Sequence, residues 1–154
     1  MQTLIIVGAF PPLESKVIGG VLTNSKILLD SSLSQNYRIV KFDSTQISNP
    51  PPILAVRAIL SVRKLLRFYL TVRSNRNSIV FLMAGIGFSV VEKLVMCKMA
   101  SHFNCRTAMY PLGGQLINDV LKSLLQKKTF QVLFQFPDII LCQSAVWQEF
   151  FQRE

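Results

Sequence analysis

An α/β/α sandwich around a parallel sheet of about five strands is the architecture this sequence predicts. Short, continuous apolar runs of strand length alternate with helix-length segments along the whole chain. The runs also lack the apolar–polar alternation of a half-exposed sheet, so each strand is expected to be buried on both faces. That burial calls for parallel pairing, right-handed crossovers and helices on each side.

The first strand is expected at "LIIVGAF" (residues 4–10), followed by a helix over residues 20–33. "YRIVKFD" (37–43) gives the second strand, and residues 52–73 a long second helix. "SIVFLMAG" (78–85) and a helix over 88–103 follow, then "CRTAMYP" (105–111) and a helical stretch over 114–136 that breaks near Lys128. "DIILCQS" (138–144) closes the series ahead of a last helix. Strict β-α alternation of this kind is Rossmann-like, and ligands of such sheets sit beyond the carboxyl ends of the strands.

The length of 154 residues suits one domain. With half the residues hydrophobic and 16% charged, the composition argues against disorder and leaves apolar surface for a partner or a membrane. The longest apolar-and-glycine run, residues 79–91, falls short of the roughly 20 residues that cross a bilayer, and Glu92 and Lys93 close it. No transmembrane helix is expected. The opening "MQTLIIVGAF" has neither a basic n-region nor a cleavage site, so a cytoplasmic location is expected.

Cys97, Cys105 and Cys142 show no C-x-x-C spacing, and neither a disulfide framework nor a metal site is expected. All three read as small core residues. The single histidine, His102, has no Cys or His at ligand spacing and reads as a helix-terminal or core residue. No cofactor is implied.

Three glycine-bearing loops fall at carboxyl ends of predicted strands: Gly8 to Gly20, "AGIGFS" with Gly87 and Ser89, and "YPLGGQ" with Tyr110, Gly113, Gly114 and Gln115. Glycine there serves turn geometry or lets a ligand approach the backbone. The first loop takes about ten residues where two to six is usual, and its glycine pair, Gly19 and Gly20, opens a helix, where free N–H groups favour a phosphate. Neither G-x-x-x-x-G-K-[ST] nor a complete G-x-G-x-x-G is present, which disfavours a P-loop enzyme and an ordinary dinucleotide enzyme. A serine nucleophile elbow is absent too. No catalytic base is identified; Asp43 and Asp119 either lie near the rim or are solvated, and solvation is the favoured reading.

Net charge is +9, and residues 44–91 contain no acidic residue. The second helix carries Arg57, Arg63, Lys64, Arg67 and Arg73 among more apolar residues than one core stripe needs. A crossover helix whose arginines meet solvent satisfies this pattern. So does a peripheral site on an anionic bilayer, with Arg63, Lys64 and Arg67 toward lipid. Nucleic acid is not the expected partner, because the basic residues are interleaved with aliphatic rather than stacking aromatic ones.

"IIVGAFPPLESKVIGGV" followed by "YRIVKFDST" resembles the opening of bacterial family-4 glycosyltransferases of the GT-B fold, whose first domain often begins with a strand, G-x-F-P-P and GG. The basic second helix, "SIVFLMAGIGFS", "GGQL" and "PDIILCQSAVWQEFF" fit that domain in order. The resemblance implies an acceptor-side domain over residues 1–154. It also implies a reaction in which sugar passes from a nucleotide-sugar to a carbohydrate or lipid-linked acceptor with anomeric configuration retained. Gly19 and Gly20 would then meet donor phosphate or the reacting sugar, as would Gly113, Gly114 and Gln115; Gly87, Ser89 and Tyr110 are lesser rim candidates.

The chain also departs from that family. Its glutamates, Glu14, Glu92, Glu149 and Glu154, contain no E-x7-E pair of a donor-binding domain, and Tyr110 to Gly114 stand where relatives frequently show H-x-H-G-G. The expectation is a domain inactive alone and completed by a separate donor-binding chain. An inactive truncated remnant and a non-enzymatic, membrane-associated binding module remain the alternatives.

Overall fold

The computed structural model describes residues 1–10, 20–45, 53–85, 87–114, 116–117 and 124–153. Five strands, β1 (Thr3–Gly8), β2 (Arg38–Asp43), β3 (Ile79–Ala84), β4 (Arg106–Pro111) and β5 (Ile139–Ile140), pair in parallel in the order β2-β1-β3-β4-β5. The described helices are α1 (Gly20–Asp30), α2 (Leu33–Asn36), α3 (Leu54–Ser74), α4 (Phe88–Ser101), α5 (Leu124–Leu133) and α6 (Ala145–Arg153). The fold is the Rossmann-like sandwich that the sequence predicts.

Strand alternation sends the side chains of β1 to two cores. Leu4 and Ile6 join Met83 under α1 and α2, while Ile5 and Val7 join Val80, Leu82, Phe68 and Val72 under α3 and α4. Farther along that second face, Met109, Leu116 and Trp147 pack with Leu94 beneath α5 and α6. The connection from β1 to β2 runs one way across the sheet and every later one runs the other way. The reversal lies between β1 and β3, the position where doubly wound sheets open a crevice at their carboxyl edge.

Several local expectations change. The edge strands are not buried on both faces: Arg38 and Lys41 of β2 and Ile139 of β5 are exposed, because nothing pairs beyond them in the described sheet. β5 has two residues rather than the expected seven. It is secured by Asp138, whose carboxylate accepts from Thr107 N at 2.7 Å and Thr107 Oγ1 at 2.8 Å. Lys128 does not break a helix, since α5 runs through it. Cys97 and Cys105 are buried, but Cys142 is exposed just past the short β5, outside any core. His102 is the helix-terminal residue of α4, exposed, with its ring edge-on to Phe103 at 5.3 Å.

Gly8 and Gly20 are glycine for different reasons. Ser25 Oγ of α1 donates to Val21 O at 2.8 Å and accepts from Ala9 N at 3.1 Å, pinning α1 to the end of β1; a Cβ on Gly8 would collide with it. A Cβ on Gly20 would meet none of the described residues within 4 Å. Gly8→Ala is expected to lose about 1–3 kcal/mol in urea unfolding, the usual cost of overpacking. Gly20→Ala is expected to stay within about 0.5 kcal/mol of wild type in the same measurement.

Candidate functional site

The sheet order places the loops after β1, β3 and β4 side by side on one rim, because those three strands are neighbours. Helices α1, α3 and α4 all begin at that rim, following β1, β2 and β3, and none has an acidic residue in its first turn. Their positive dipole ends therefore face the rim without a compensating carboxylate from their own first turns. Ile53 and Gly87, which precede α3 and α4, provide no side-chain cap.

Of the glycines expected there, Gly20 opens α1 and Gly87 precedes α4 with φ +60°, a left-handed conformation that favours glycine. Among the described residues, a Cβ on Gly20, Gly87 or Gly114 would meet no atom within 4 Å. Packing against those residues therefore does not demand glycine at Gly20 or Gly114. Gly113 is half-buried, and its carbonyl accepts from Leu116 N at 3.0 Å. Ser89 is half-buried on the first turn of α4 beside Gly85. Tyr110 packs in the core under α1, its ring 6.2 Å from that of Phe81. Gly19, Gln115 and Asp119 lie outside the described residues.

Asp43 is not a solvated carboxylate. It is half-buried at the end of β2, where its Oδ1 accepts from Phe10 N and Thr45 N, each at 3.0 Å, and from Thr45 Oγ1. The loops after β1 and β2 are joined again by Ser44, whose N and Oγ both donate to Gly8 O. Burial would raise the Asp43 pKa, but those hydrogen bonds and the nearby Lys64 charge hold it below the ordinary value.

Sequence reasoning missed the group of charges beneath this rim. Glu92 and Lys93 on α4 are only 6% and 2% exposed. The Glu92 carboxylate accepts from Lys93 Nζ at 2.9 Å, Lys64 Nζ at 3.1 Å and Ser61 Oγ at 3.0 Å, so one carboxylate of α4 holds two residues of α3. Lys64 Nζ also reaches Ser44 O at 3.5 Å. Burial opposes ionisation of Glu92, yet Lys93 and then Lys64 outweigh it and lower its pKa. Burial likewise lowers the pKa of Lys93, and Glu92 only partly offsets that. The signal available in the sequence was an adjacent acid–base pair set within the apolar stretch Val90 to Cys97 of this helix.

Lys64 thus points inward, whereas its neighbours Arg63 and Arg67 are exposed. Cys97 is buried and inert, its thiol pushed up to about 12 by burial and the Asp138 charge. The described residues hold no group of three or more His, Cys, Asp or Glu side chains suited to a metal ion. Off the rim, Phe130, Phe134, Ile140, Phe150 and Phe151 line a shallow recess of about 190 Å³ between α5, β5 and α6.

No family model, no curated protein and no solved structure matches this chain. Among the described residues, no helix is long and apolar enough to cross a membrane.

Replacing Glu92 by Gln would strand two lysines below the rim. Glu92→Gln is expected to cost about 3–5 kcal/mol in denaturant unfolding. Because the folded pKa of Glu92 lies below its ordinary 4.5, its contribution is full above that value and fades as pH falls through the folded pKa. Wild type should therefore lose stability more steeply than Glu92→Gln below about pH 4.5. Lys93 shifts stability in the same direction with pH: its folded pKa is lowered, so the cost of burying its charge is full below that value and is relieved as pH rises from it toward 10.5.

Proposed function

We propose that this chain is the acceptor-side domain of a retaining glycosyltransferase, acting with a donor-binding domain to move sugar from a nucleotide-sugar to a carbohydrate or lipid-linked acceptor. The sequence resemblance supplies the reaction class. The observation that carries the reading to this site is Gly20, at the start of α1 beside the β1–β3 reversal, where a side chain would meet none of the described residues within 4 Å. A diphosphate or a sugar hydroxyl can approach backbone N–H groups there, at the positive end of a helix.

The rim's charge fits an anionic group. Asp43 is engaged by backbone and Thr45, Glu92 is shared by two ammonium groups, and the first turns of three helices hold no acid. Glycosyl transfer also needs donor and acceptor fixed together and the departing diphosphate stabilised. One half of a cleft supplies little of either, so turnover requires the donor-binding half as well. A peripheral position on a membrane surface belongs to the same proposal and would bring a lipid-linked acceptor within reach.

The test is purification of the native protein with its partners and a search, in the same polypeptide or among those partners, for a Rossmann-like domain bearing E-x7-E. Sugar transfer that needs both halves is the expected result. Ligand binding without transfer would favour a non-enzymatic module, and absence of both would mark an inert remnant. In the reconstituted pair, Gly20→Val is expected to lower turnover about 100-fold while leaving the circular dichroism spectrum unchanged. Undiminished turnover, or an unfolded variant, would contradict the assignment.

A further inference from the structure

We infer that the solvent face of α3 is a docking surface for an anionic lipid bilayer. This deepens the membrane part of the reading above and does not rest on sugar transfer. Val56, Ile59, Val62, Leu66 and Leu70 are each 40–68% exposed. Their spacing of three, three, four and four residues sets them on one side of the helix, along about 21 Å of its length at 1.5 Å per residue. They are not spare core: Leu65, Phe68, Tyr69 and Val72, on the other side, already pack against the sheet.

Charge identifies what covers the stripe. Arg63, Arg67 and Arg73 are exposed alongside it, and among the described residues no acidic side chain pairs with them. Arg67 lies with its guanidinium 5.9 Å from the Phe42 ring, at the border with the core. Residues 44–91 offer no carboxylate, so two copies meeting through this face would bring arginines together unpaired. The stripe is also wholly aliphatic, which gives nucleobases nothing to stack on. An apolar stripe flanked by arginines matches acyl chains below and lipid phosphates above.

The inward turn of Lys64 is what presents this face. With Lys64 and Ser61 held by Glu92, the helix cannot roll without breaking a buried ion pair. In a sandwich of this type the helices run antiparallel to the strands, so α3 lying flat on a bilayer lays the sheet parallel to the surface. The carboxyl rim then opens sideways, along the headgroups. An acceptor held by a lipid tail enters it without leaving the membrane.

The test is sedimentation of the intact chain with vesicles of phosphatidylcholine, with and without phosphatidylglycerol, at rising salt. Binding is expected only with phosphatidylglycerol and should weaken as salt rises. Arg63→Gln and Arg67→Gln should each weaken it about fivefold, and Leu66→Ser together with Ile59→Ser should abolish it with circular dichroism unchanged. Equal binding to neutral vesicles, or none to anionic ones, would overturn the inference. So would a dimer in sedimentation equilibrium that Leu66→Ser dissolves, which would assign the stripe to a second copy. Sugar-transfer assays play no part in these outcomes, so this inference and the proposed reaction can fail separately.

Discussion

One carboxylate, that of Glu92, holds the two principal helices of one sheet face in register. It accepts from Lys93 on its own helix and from Lys64 and Ser61 on α3. Removing such charges from water is costly, and their mutual attraction offsets the cost only where geometry and additional hydrogen bonds are good. Three partners within 3.1 Å provide that geometry. The consequence is rotational: with Lys64 inside, the aliphatic stripe and its arginines face solvent. The buried charges also lie below the carboxyl rim, where Lys64 reaches the carbonyl of Ser44.

Above this network the rim is built from backbone rather than from reactive side chains. Ser44 and Asp43 tie the loop after β2 to the loop after β1, and Ser25 ties α1 to the end of β1. These bonds fix the place where the direction of the crossovers reverses. The open glycine positions lie along that fixed edge, which suits a site that orients an anionic ligand through N–H groups. The proposed division of labour gives this chain the acceptor and the membrane, and gives its partner most of the donor nucleotide.

Much of the fold was legible in the sequence because β1 and β3 are central strands, and burial on both faces writes a continuous apolar run. β5 was legible only as a place in the order: at the sheet edge Ile139 is exposed, and its length is set by pairing with Ala108 and Met109, which sequence does not display. The glycines illustrate the same limit. Gly8 and Gly20 look alike in the chain, yet one is required by Ser25 and the other by none of the described residues. Lys64 was grouped with Arg63 and Arg67 by proximity, whereas its acid partner lies 28 residues away. The engagement of Asp43 is hidden for a related reason: two of its three hydrogen-bond donors are backbone N–H groups, which leave no mark in a sequence.

The most direct test of this account is a double-mutant cycle between Lys64→Met and Glu92→Gln, read by denaturant unfolding at neutral pH. If the pair fixes α3 on α4, the two losses will not add, and the coupling will fall between about 0.5 and 3 kcal/mol in favour of the pair. Strict additivity would mean that Lys64 and Glu92 do not interact in solution. The inward turn of Lys64, and with it the outward face of α3, would then lose its physical basis.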